Sequence, residues 1–436
     1  MMPCSPKLMQ ARAAFKYILL LQHYCNFDLL LSFKYRLYQN DEQEALLRST
    51  IARLCDLYNE IRSEKVKQYK ENKISLSKTD LRRIALERRR TNENLKNIHS
   101  QVVQNVADRV SASFNNFFER RARFPRNKKY KNYRSFTYPQ SGFNLVLTKK
   151  GHKIRLSGIG EVRVFIHRPM LGHVKRLCIK REAGEWYSIF LLERIDKKVQ
   201  DVNYIPDDRI RGCDVGLEKF VVLDNFSSDE YPEFLRKSEQ KIVSLQRHLS
   251  KKKKGSRRWR LLAHRLARLH LHVKRQREDY QNKIVASLLN KDTDVLVLEK
   301  LSIENMIQNH SLAKSLADAS FGRFATRCFK KSRMLGKLVL FVDPWGTSQF
   351  CHSCLQWVPK DLSQREHDCP KCGMRLPRDV NSARLIKWLG KMGCSPSDGG
   401  SSLAELFPLP SLRRMASKSV EARSQHPKML EDVTPF

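Results

Sequence analysis

Acidic side chains are scarce in this sequence of 436 residues. It contains 45 Asp and Glu against 83 Lys and Arg, which gives a formal net charge of +38 at pH 7. Because such an excess repels itself within a compact particle, the composition indicates a polyanionic partner. Nucleic acid is the expected one, since binding to a membrane surface requires an amphipathic or lipidated anchor and the sequence shows neither.

Long apolar runs are also missing. The most apolar stretch near the N-terminus, between Phe15 and Phe33, is interrupted by polar residues such as Gln22 and Asp28. A bilayer span needs about 20 predominantly apolar residues, so no transmembrane helix is predicted, and no cleavage site of a signal peptide follows. Residues 1–29 are interpreted as a weakly specified leader. We expect a cytoplasmic protein, associated with the nucleoid if its source is prokaryotic.

The chain lacks a disulfide framework. Seven of its 11 cysteines are scattered without regular spacing, which is typical of a protein from a reducing compartment. The other four, Cys351, Cys354, Cys369 and Cys372, follow the pattern C-x2-C-x14-C-x2-C. This spacing favours one structural Zn²⁺ ion over an iron–sulfur cluster or a pair of disulfides, and it predicts a zinc ribbon over residues 345–376.

The two histidines close to the cysteines are the other candidates for metal ligation. We interpret His352 and His367 as groups beside the ligands or on the surface, rather than as ligands.

The N-terminal half predicts a β-barrel with helices inserted into it. Alternation around Tyr35 predicts a strand, and Asn40 with Gln43 predicts the capping box of a following helix. Residues 143–194 contain glycine-punctuated, strand-like segments. The predicted domains are a wedge-like β-barrel over 30–40 and 122–208 and a helical lobe over 41–121.

The C-terminal half predicts an α/β domain, so the fold class expected overall is α+β and multidomain. This domain covers residues 209–344 and 377–390, and residues 391–436 are rich in Gly, Ser and Pro and are expected to be disordered. The predicted elements are a hairpin over 210–223, basic helices over 233–250 and 256–290, a strand over 294–299, a helix over 312–336, a strand over 337–342, and a helix carrying Asp379.

Three acids stand out at the ends of apolar segments. Asp214 and Glu299 end predicted strands, and Asp379 begins a predicted helix. Buried carboxylates need partners, and three of them can hold two Mg²⁺ ions, the arrangement that supports phosphodiester cleavage. An Asp after a strand is more often a turn or cap residue. The catalytic interpretation is favoured by the order of these features along the chain, in which the predicted zinc ribbon stands between Glu299 and Asp379.

Cations interleaved with aromatic residues occur between Arg121 and Phe136, a pattern that suits phosphate contact and base stacking. The alternative is a solvated basic loop. A second cationic run joins the two basic helices. The candidate nucleic-acid contacts are Arg121, Arg123, Arg126, Lys128, Lys129, Tyr130, Lys131, Arg134, Lys251, Lys252, Lys253, Lys254, Arg257 and Arg258.

One motif imitates a different chemistry. His270, His272 and the downstream Tyr280 resemble the histidine pair and tyrosine of single-strand nicking enzymes. That arrangement requires both histidines on one side of a strand, whereas the surrounding leucines have helical spacing, which turns residues two apart to different faces. We therefore do not expect nicking chemistry.

Taken together, the motifs resemble the TnpB family of transposon-encoded, RNA-guided nucleases, which is related to type V CRISPR effectors and to Fanzor proteins. The resemblance covers about residues 30–390. Its matching blocks are Phe33–Tyr38, Gly212–Leu217, Val297–Leu301, Thr347–Gly373 and Arg378–Ala383.

The resemblance implies a wedge-type barrel with an inserted recognition lobe, followed by a RuvC nuclease of the RNase H fold. It implies that Asp214, Glu299 and Asp379 are the catalytic, Mg²⁺-binding acids and that the four cysteines bind zinc. It also implies a guide RNA from the transposon end and cleavage of target DNA beside a short motif. We expect a monomer rather than a dimer. In such systems base pairing reads the target sequence.

The sequence departs from the family pattern at Pro377, where Asp is frequent, and at Ser382, where Ala is commoner. Neither departure removes a predicted ligand. The alternative functions are a compact type V CRISPR effector, a guided repressor that binds DNA without cutting, and an RNA-binding accessory protein of transposition.

Overall fold

The computed structural model describes the protein over a set of ranges that exclude the predicted leader and most of the predicted tail. Across these ranges, no helix combines the length and hydrophobicity that a bilayer span requires. Helices and sheets are both extensive, which confirms an α+β protein. The described residues are 29–148, 151–170, 172–194, 205–301, 303, 306, 308, 310–361 and 363–392.

The chain forms two compact units. We call residues 27–196 and 242–271 the N-terminal unit, and residues 197–241 together with the chain from His272 onward the C-terminal unit. Residues 242–271, which lie inside the predicted domain range 209–344, group with the N-terminal unit, and the predicted domain bounds stay predictions. Within this unit His264 lies against Gly184, where an added Cβ would come within 2.6 Å of the imidazole Nε2.

A seven-stranded antiparallel sheet forms the base of the N-terminal unit. Its strand order is β2-β6-β7-β1-β5-β4-β3. The predicted strands are confirmed, while β2 and β6, which carry polar and cationic residues between apolar ones, were not singled out from the sequence. The strands are β1 (Leu29–Tyr38), β2 (Ser135–Tyr138), β3 (Phe143–Thr148), β4 (Gly151–Leu156), β5 (Gly160–Phe165), β6 (His173–Glu182) and β7 (Glu185–Arg194).

The two end strands of this sheet approach each other through side chains. The ring centroids of Tyr138 in β2 and Phe143 in β3 are 6.1 Å apart. The Tyr138 hydroxyl donates to the Ser157 carbonyl oxygen at 3.0 Å. In the described ranges no backbone ladder joins β2 to β3, so closure of this sheet into a barrel stays a prediction.

Helices fill the connection between β1 and β2. The Asn40–Gln43 capping box is confirmed at the start of the first helix. The apolar stripe of the fourth helix is buried at Val103, Val106 and Phe114, but Phe118 at its end is 67% exposed. The helices are α1 (Asp41–Asn72), α2 (Lys78–Thr91), α3 (Glu93–Lys96) and α4 (Ser100–Phe118).

A five-stranded mixed sheet forms the base of the C-terminal unit. Its order is β10-β9-β8-β11-β12, in which β8, β11 and β12 are parallel and the two remaining strands are antiparallel. These five strands are β8 (Ile210–Asp214), β9 (Lys219–Leu223), β10 (Ser228–Glu230), β11 (Val295–Glu299) and β12 (Leu338–Val342).

The helices that follow the sheet strands include one correction. The continuous helix predicted over 312–336 is wrong: it breaks at Ser320, whose φ of 54° is left-handed. The break lets Ala319 and Phe321, from consecutive helices, both enter the core. These helices are α5 (Phe234–Ser250), α6 (Arg257–Leu288), α7 (His310–Ala319), α8 (Phe321–Leu335) and α9 (Arg378–Lys391).

Candidate functional site

The three predicted acids converge at one edge of the five-stranded sheet. Strands β8 and β11 are parallel neighbours whose register pairs Cys213 with Leu298, so Asp214 and Glu299 follow side by side at the carboxyl ends. Asp379 lies in the first turn of α9. This helix packs directly on β8, because a Cβ on Gly212 would lie 1.9 Å from the Ala383 carbonyl oxygen.

The electrostatics of Asp214 reflect this convergence. Burial, and then the charges of Glu299 and Asp379, raise the pKa of Asp214 well above its usual range. The Arg378 guanidinium acts in the opposite direction. Glu299 and Asp379 are therefore close enough to Asp214 for their negative charges to act on it.

Glu299 has a second set of neighbours from the start of the ribbon. Burial raises the pKa of Glu299 to about 7, and the nearby Asp343 adds to the rise. The Thr347 hydroxyl donates to Glu299 Oε1 at 2.5 Å, which favours the ionised form. The same hydroxyl lies 2.9 Å from the Pro344 carbonyl oxygen, so Thr347 holds the Glu299 carboxylate against the loop after β12.

The donor set at this edge suits a hard divalent cation. Burial raises the pKa of the Asp214 and Glu299 carboxyls, neighbouring carboxylates add to the rise, and a bound cation would offset that cost. Arg378 lies 3.3 Å from Asp379 Oδ1 and offsets only part of the charge. The residues present therefore fit Mg²⁺.

Three residues of the site were not predicted: Asp343, Thr347 and Arg378. A signal for Asp343 exists in the sequence, since it follows the apolar strand β12 as Glu299 ends β11. Thr347 and Arg378 become recognisable only once the fold brings them beside the acids.

The predicted cysteines form a separate cluster. Their four sulfur atoms all lie within 4.8 Å of one another. The Sγ separations are 3.7 Å for Cys351 and Cys372 and 3.5 Å for Cys354 and Cys369. Zinc bound to four sulfurs at about 2.3 Å requires separations of about 3.8 Å, so the cluster fits zinc. Within the described ranges, no other group of three or more His, Cys, Asp or Glu side chains has its potential ligand atoms this close together.

A fully buried asparagine connects this cluster to the helix of Asp379. Asn381 Oδ1 accepts from the His352 backbone N–H at 2.9 Å and lies 3.1 Å from His352 Nδ1. Its Nδ2 donates to the Phe350 carbonyl oxygen at 2.7 Å. Asn381 therefore holds the first cysteine knuckle on α9, two residues after the acid.

His352 and His367 both lie outside the cluster of candidate ligand atoms. His367 is completely buried, with its Nδ1 2.6 Å from the Lys360 ammonium. Burial, and then the Lys360 charge, lower the pKa of His367 to about 4.

The predicted nucleic-acid contacts are all exposed. Lys128 is exposed as well, although its ammonium lies 4.2 Å from the centroid of the Tyr58 ring. The residues of the nicking-like motif, His270, His272 and Tyr280, all lie on α6, which confirms their helical context.

Two family models match the C-terminal part of the chain. "Probable transposase" matches residues 206–310, and "Cas12f1-like, TNB domain" matches residues 321–386. Asp214 and Glu299 lie within the first match. Asp379 and the cysteine cluster lie within the second.

Two curated relatives extend the similarity over most of the chain. The "Putative RNA-guided DNA endonuclease InsQ" of Escherichia coli (strain K12) is 29% identical over 309 residues, covering 67% of this chain and 75% of the relative. A "Putative RNA-guided DNA endonuclease" of Streptomyces pristinaespiralis is 26% identical over 378 residues, covering 84% and 91%.

Solved structures show a weaker likeness. A Cas12f1–sgRNA–target DNA complex matches with a TM-score of 0.31 and 14% identity, covering 82% of this chain and 98% of the other. The mini RNA-guided endonuclease CRISPR-Cas_phi3 matches with a TM-score of 0.46 and 10% identity, covering 92% and 98%. At these scores the likeness does not bear on function.

Proposed function

We propose that this chain, whose resemblance to the TnpB family is confirmed by the family models and the curated relatives, is an RNA-guided DNA endonuclease. Three carboxylates on β8, β11 and α9 that meet at one sheet edge carry this proposal, because a binding protein has no need of them. Bringing these negative charges together destabilises the protein, and a metal-dependent nuclease needs such a group of acids to bind its metal.

The C-terminal unit is proposed to be a RuvC-type nuclease of the RNase H fold with an inserted zinc ribbon. The order of its strands, with an antiparallel hairpin beside three parallel strands, supports this assignment. The curved sheet of the N-terminal unit is proposed to be wedge-like, and α1 to α4 the recognition lobe.

In the proposed mechanism, Asp214, Glu299 and Asp379 would hold two Mg²⁺ ions, which would supply activation of a water and stabilisation of the leaving oxygen. The protein's own part is positional. Thr347 fixes the rotamer of Glu299, and the rigid packing of α9 on Gly212 fixes Asp379 relative to β8. The zinc ribbon has a structural role beside this edge.

The proposed partners are a guide RNA derived from the transposon end and the two strands of the target DNA. The excess of 38 positive charges suits a channel for an RNA–DNA hybrid. We propose that the protein acts as a monomer and cuts beside a short target-adjacent motif. A compact type V CRISPR effector shares all of these features and differs in the origin of its guide.

The test begins with expression of the protein beside its native flanking DNA and sequencing of the RNA that co-purifies. We expect one discrete RNA ending at the transposon boundary, which then directs cutting of a plasmid library with Mg²⁺ present. Asp214→Asn serves as the matched variant that binds the target without cutting.

The other outcomes each identify an alternative. An RNA transcribed from a repeat array indicates a CRISPR effector. Guided binding without cutting by the unaltered protein indicates a repressor. Heterogeneous RNA with no guided activity contradicts the proposal.

A further inference from the structure

A cationic cavity of about 540 Å³ lies within the N-terminal unit, separate from the acids. Its wall includes α1, the segment around Tyr130, the turn between β6 and β7, and the part of α6 that belongs to this unit. Five cationic side chains line it: Arg48, Lys131, Arg134, Arg181 and Arg260. Only Lys131 and Arg134 were candidate contacts from the sequence.

The charge of this cavity is poorly compensated. Glu44, which pairs with Arg48 at 2.5 Å, is the nearest acid and lies 3.9 Å from Arg181. In the part of the chain that the structure describes, neither Lys131 nor Arg260 has a carboxylate partner. Several like charges that face one small volume repel each other, and a bound anion relieves that repulsion.

Arg181 shows most directly that a partner is missing. Its Nε is buried and has no hydrogen-bond partner among the described residues. Burial, and then the Arg48 charge, lower the pKa of Arg181. A buried donor without an acceptor is costly, and in native proteins such a donor is usually satisfied by a protein group, an ordered water or a bound ion.

A contact between the β6–β7 turn and α6 borders the cavity. Gly184, in this turn, has a φ of +86°, and an added Cβ would come within 2.6 Å of the His264 imidazole Nε2. Arg260 lies one helical turn before His264 and shares its face, so it is presented to the same cavity.

We propose that this cavity binds a phosphate group of the guide RNA backbone. The assignment rests on the proposed function, and it names a partner contact that is independent of the cleavage site. The guide is favoured over the target because, in the proposed function, the guide must be bound before it can pair with the target strand. Tyr130, at the rim and 47% exposed, offers a stacking face for the adjoining base.

Arg260→Ala provides the test, with Arg265→Ala as the matched control. Both residues are exposed on α6, but Arg265 lies about 140° further round the helix and outside the cavity. The probe is the RNA extracted from the purified protein, labelled at its 3′ end. Its affinity is measured by fluorescence anisotropy over a series of KCl concentrations, without DNA.

We expect Arg260→Ala to weaken RNA binding roughly tenfold and to reduce the slope of log K against log salt by about one. Arg265→Ala should stay within about twofold of the unaltered protein. Equal losses in both variants, with unchanged melting temperatures, overturn the proposal. If pyrophosphate raises the melting temperature of the unaltered protein but not of Arg260→Ala, while both bind RNA equally, the site takes a small free phosphate and the RNA assignment is wrong.

A different measurement tests the proposed function. If the unaltered protein shows no guided cutting, the nuclease assignment falls, while the RNA affinities of the two variants still decide the cavity.

Discussion

The two candidate metal centres of the C-terminal unit are built in opposite ways. The four cysteines lie within 22 residues of chain, and their sulfur atoms lie within 4.8 Å of one another. The three acids come from positions 214, 299 and 379, on two strands and a helix. One site is assembled by local spacing and the other by the fold.

This difference decides what each metal does for stability. The ribbon has two three-residue strands, β13 (Glu366–Asp368) and β14 (Arg375–Pro377), and a small core around Cys351, Val358 and Cys369. Such a core cannot order the segment alone, so zinc is expected to supply its stability. The acids, in contrast, are held together by the fold at an electrostatic cost, so a metal bound there would compensate charge and is not expected to create the fold.

The largest effect should come from neutralising an acid. Asp214→Asn, Glu299→Gln or Asp379→Asn should each reduce DNA cutting by about 10³-fold or more, because each removes a proposed metal ligand. Melting temperatures should stay equal or rise, since the mutual repulsion is relieved. Guide and target binding measured alongside should be retained. A variant that cuts at the normal rate would show that its acid is not a ligand.

Removal of a cysteine should have the opposite effect, because it should destabilise the ribbon instead of leaving stability unchanged. Cys369→Ser should lose zinc and reduce amide-exchange protection in the ribbon by at least about a hundredfold, while β11 keeps its protection. Zinc content and hydrogen exchange resolved by segment give the measurement, with Cys328→Ser in the sheet core as the control that keeps zinc. Equal loss of protection in β11 would mean that the ribbon is not an independent folding element.

Asn381 connects the two centres, so its substitution tests whether they act separately. Asn381→Ala removes the acceptor of the His352 N–H and a donor to the Phe350 carbonyl, which should destabilise the protein by about 2–4 kcal/mol and slow cutting. Ser382→Ala is the matched control, because the hydrogen bond of this neighbouring buried hydroxyl, among the described residues, goes to the Arg378 carbonyl in its own helix. Similar losses in both variants would refute a specific connection.

The contrast between the centres also explains what the sequence could predict. The cysteine pattern, the capping box at Asn40 and the strands ending at Asp214 and Glu299 are local features, and each is confirmed as a structural element. The break at Ser320 was missed because flanking helical periodicity continues through it. The hydrogen bond from Thr347 to Glu299 spans 48 residues, and no local pattern reports such a contact.

The free energy of unfolding, measured over a series of pH values without Mg²⁺, should show how much the buried acids destabilise the folded protein. The pKa of Glu299 is raised from 4.5 to about 7, so between these values the folded chain binds more protons than the unfolded one. Stability should therefore be full below pH 4.5 as far as this group is concerned and fall by up to about 3 kcal/mol as pH rises through 7. Denaturant unfolding with zinc retained measures it. Glu299→Gln should flatten the dependence of the unfolding free energy on pH. If the slope is unchanged in that variant, the loss of stability with rising pH comes from another group.

The smallest effect should come from Thr347, which belongs to the segment leading into the ribbon yet serves the acid edge. Thr347→Val keeps the shape of the side chain but removes the donor to Glu299 Oε1, so the carboxylate loses its fixed orientation. We expect a loss of about 1 kcal/mol in stability and a higher Mg²⁺ concentration for half-maximal cutting. Thr347→Ser, which keeps the hydroxyl, should restore the Mg²⁺ dependence. If Thr347→Val and Thr347→Ser have the same Mg²⁺ dependence, the hydroxyl of Thr347 does not orient Glu299 and the residue contributes only packing. The three acids would then be positioned without help from the segment that leads into the zinc ribbon.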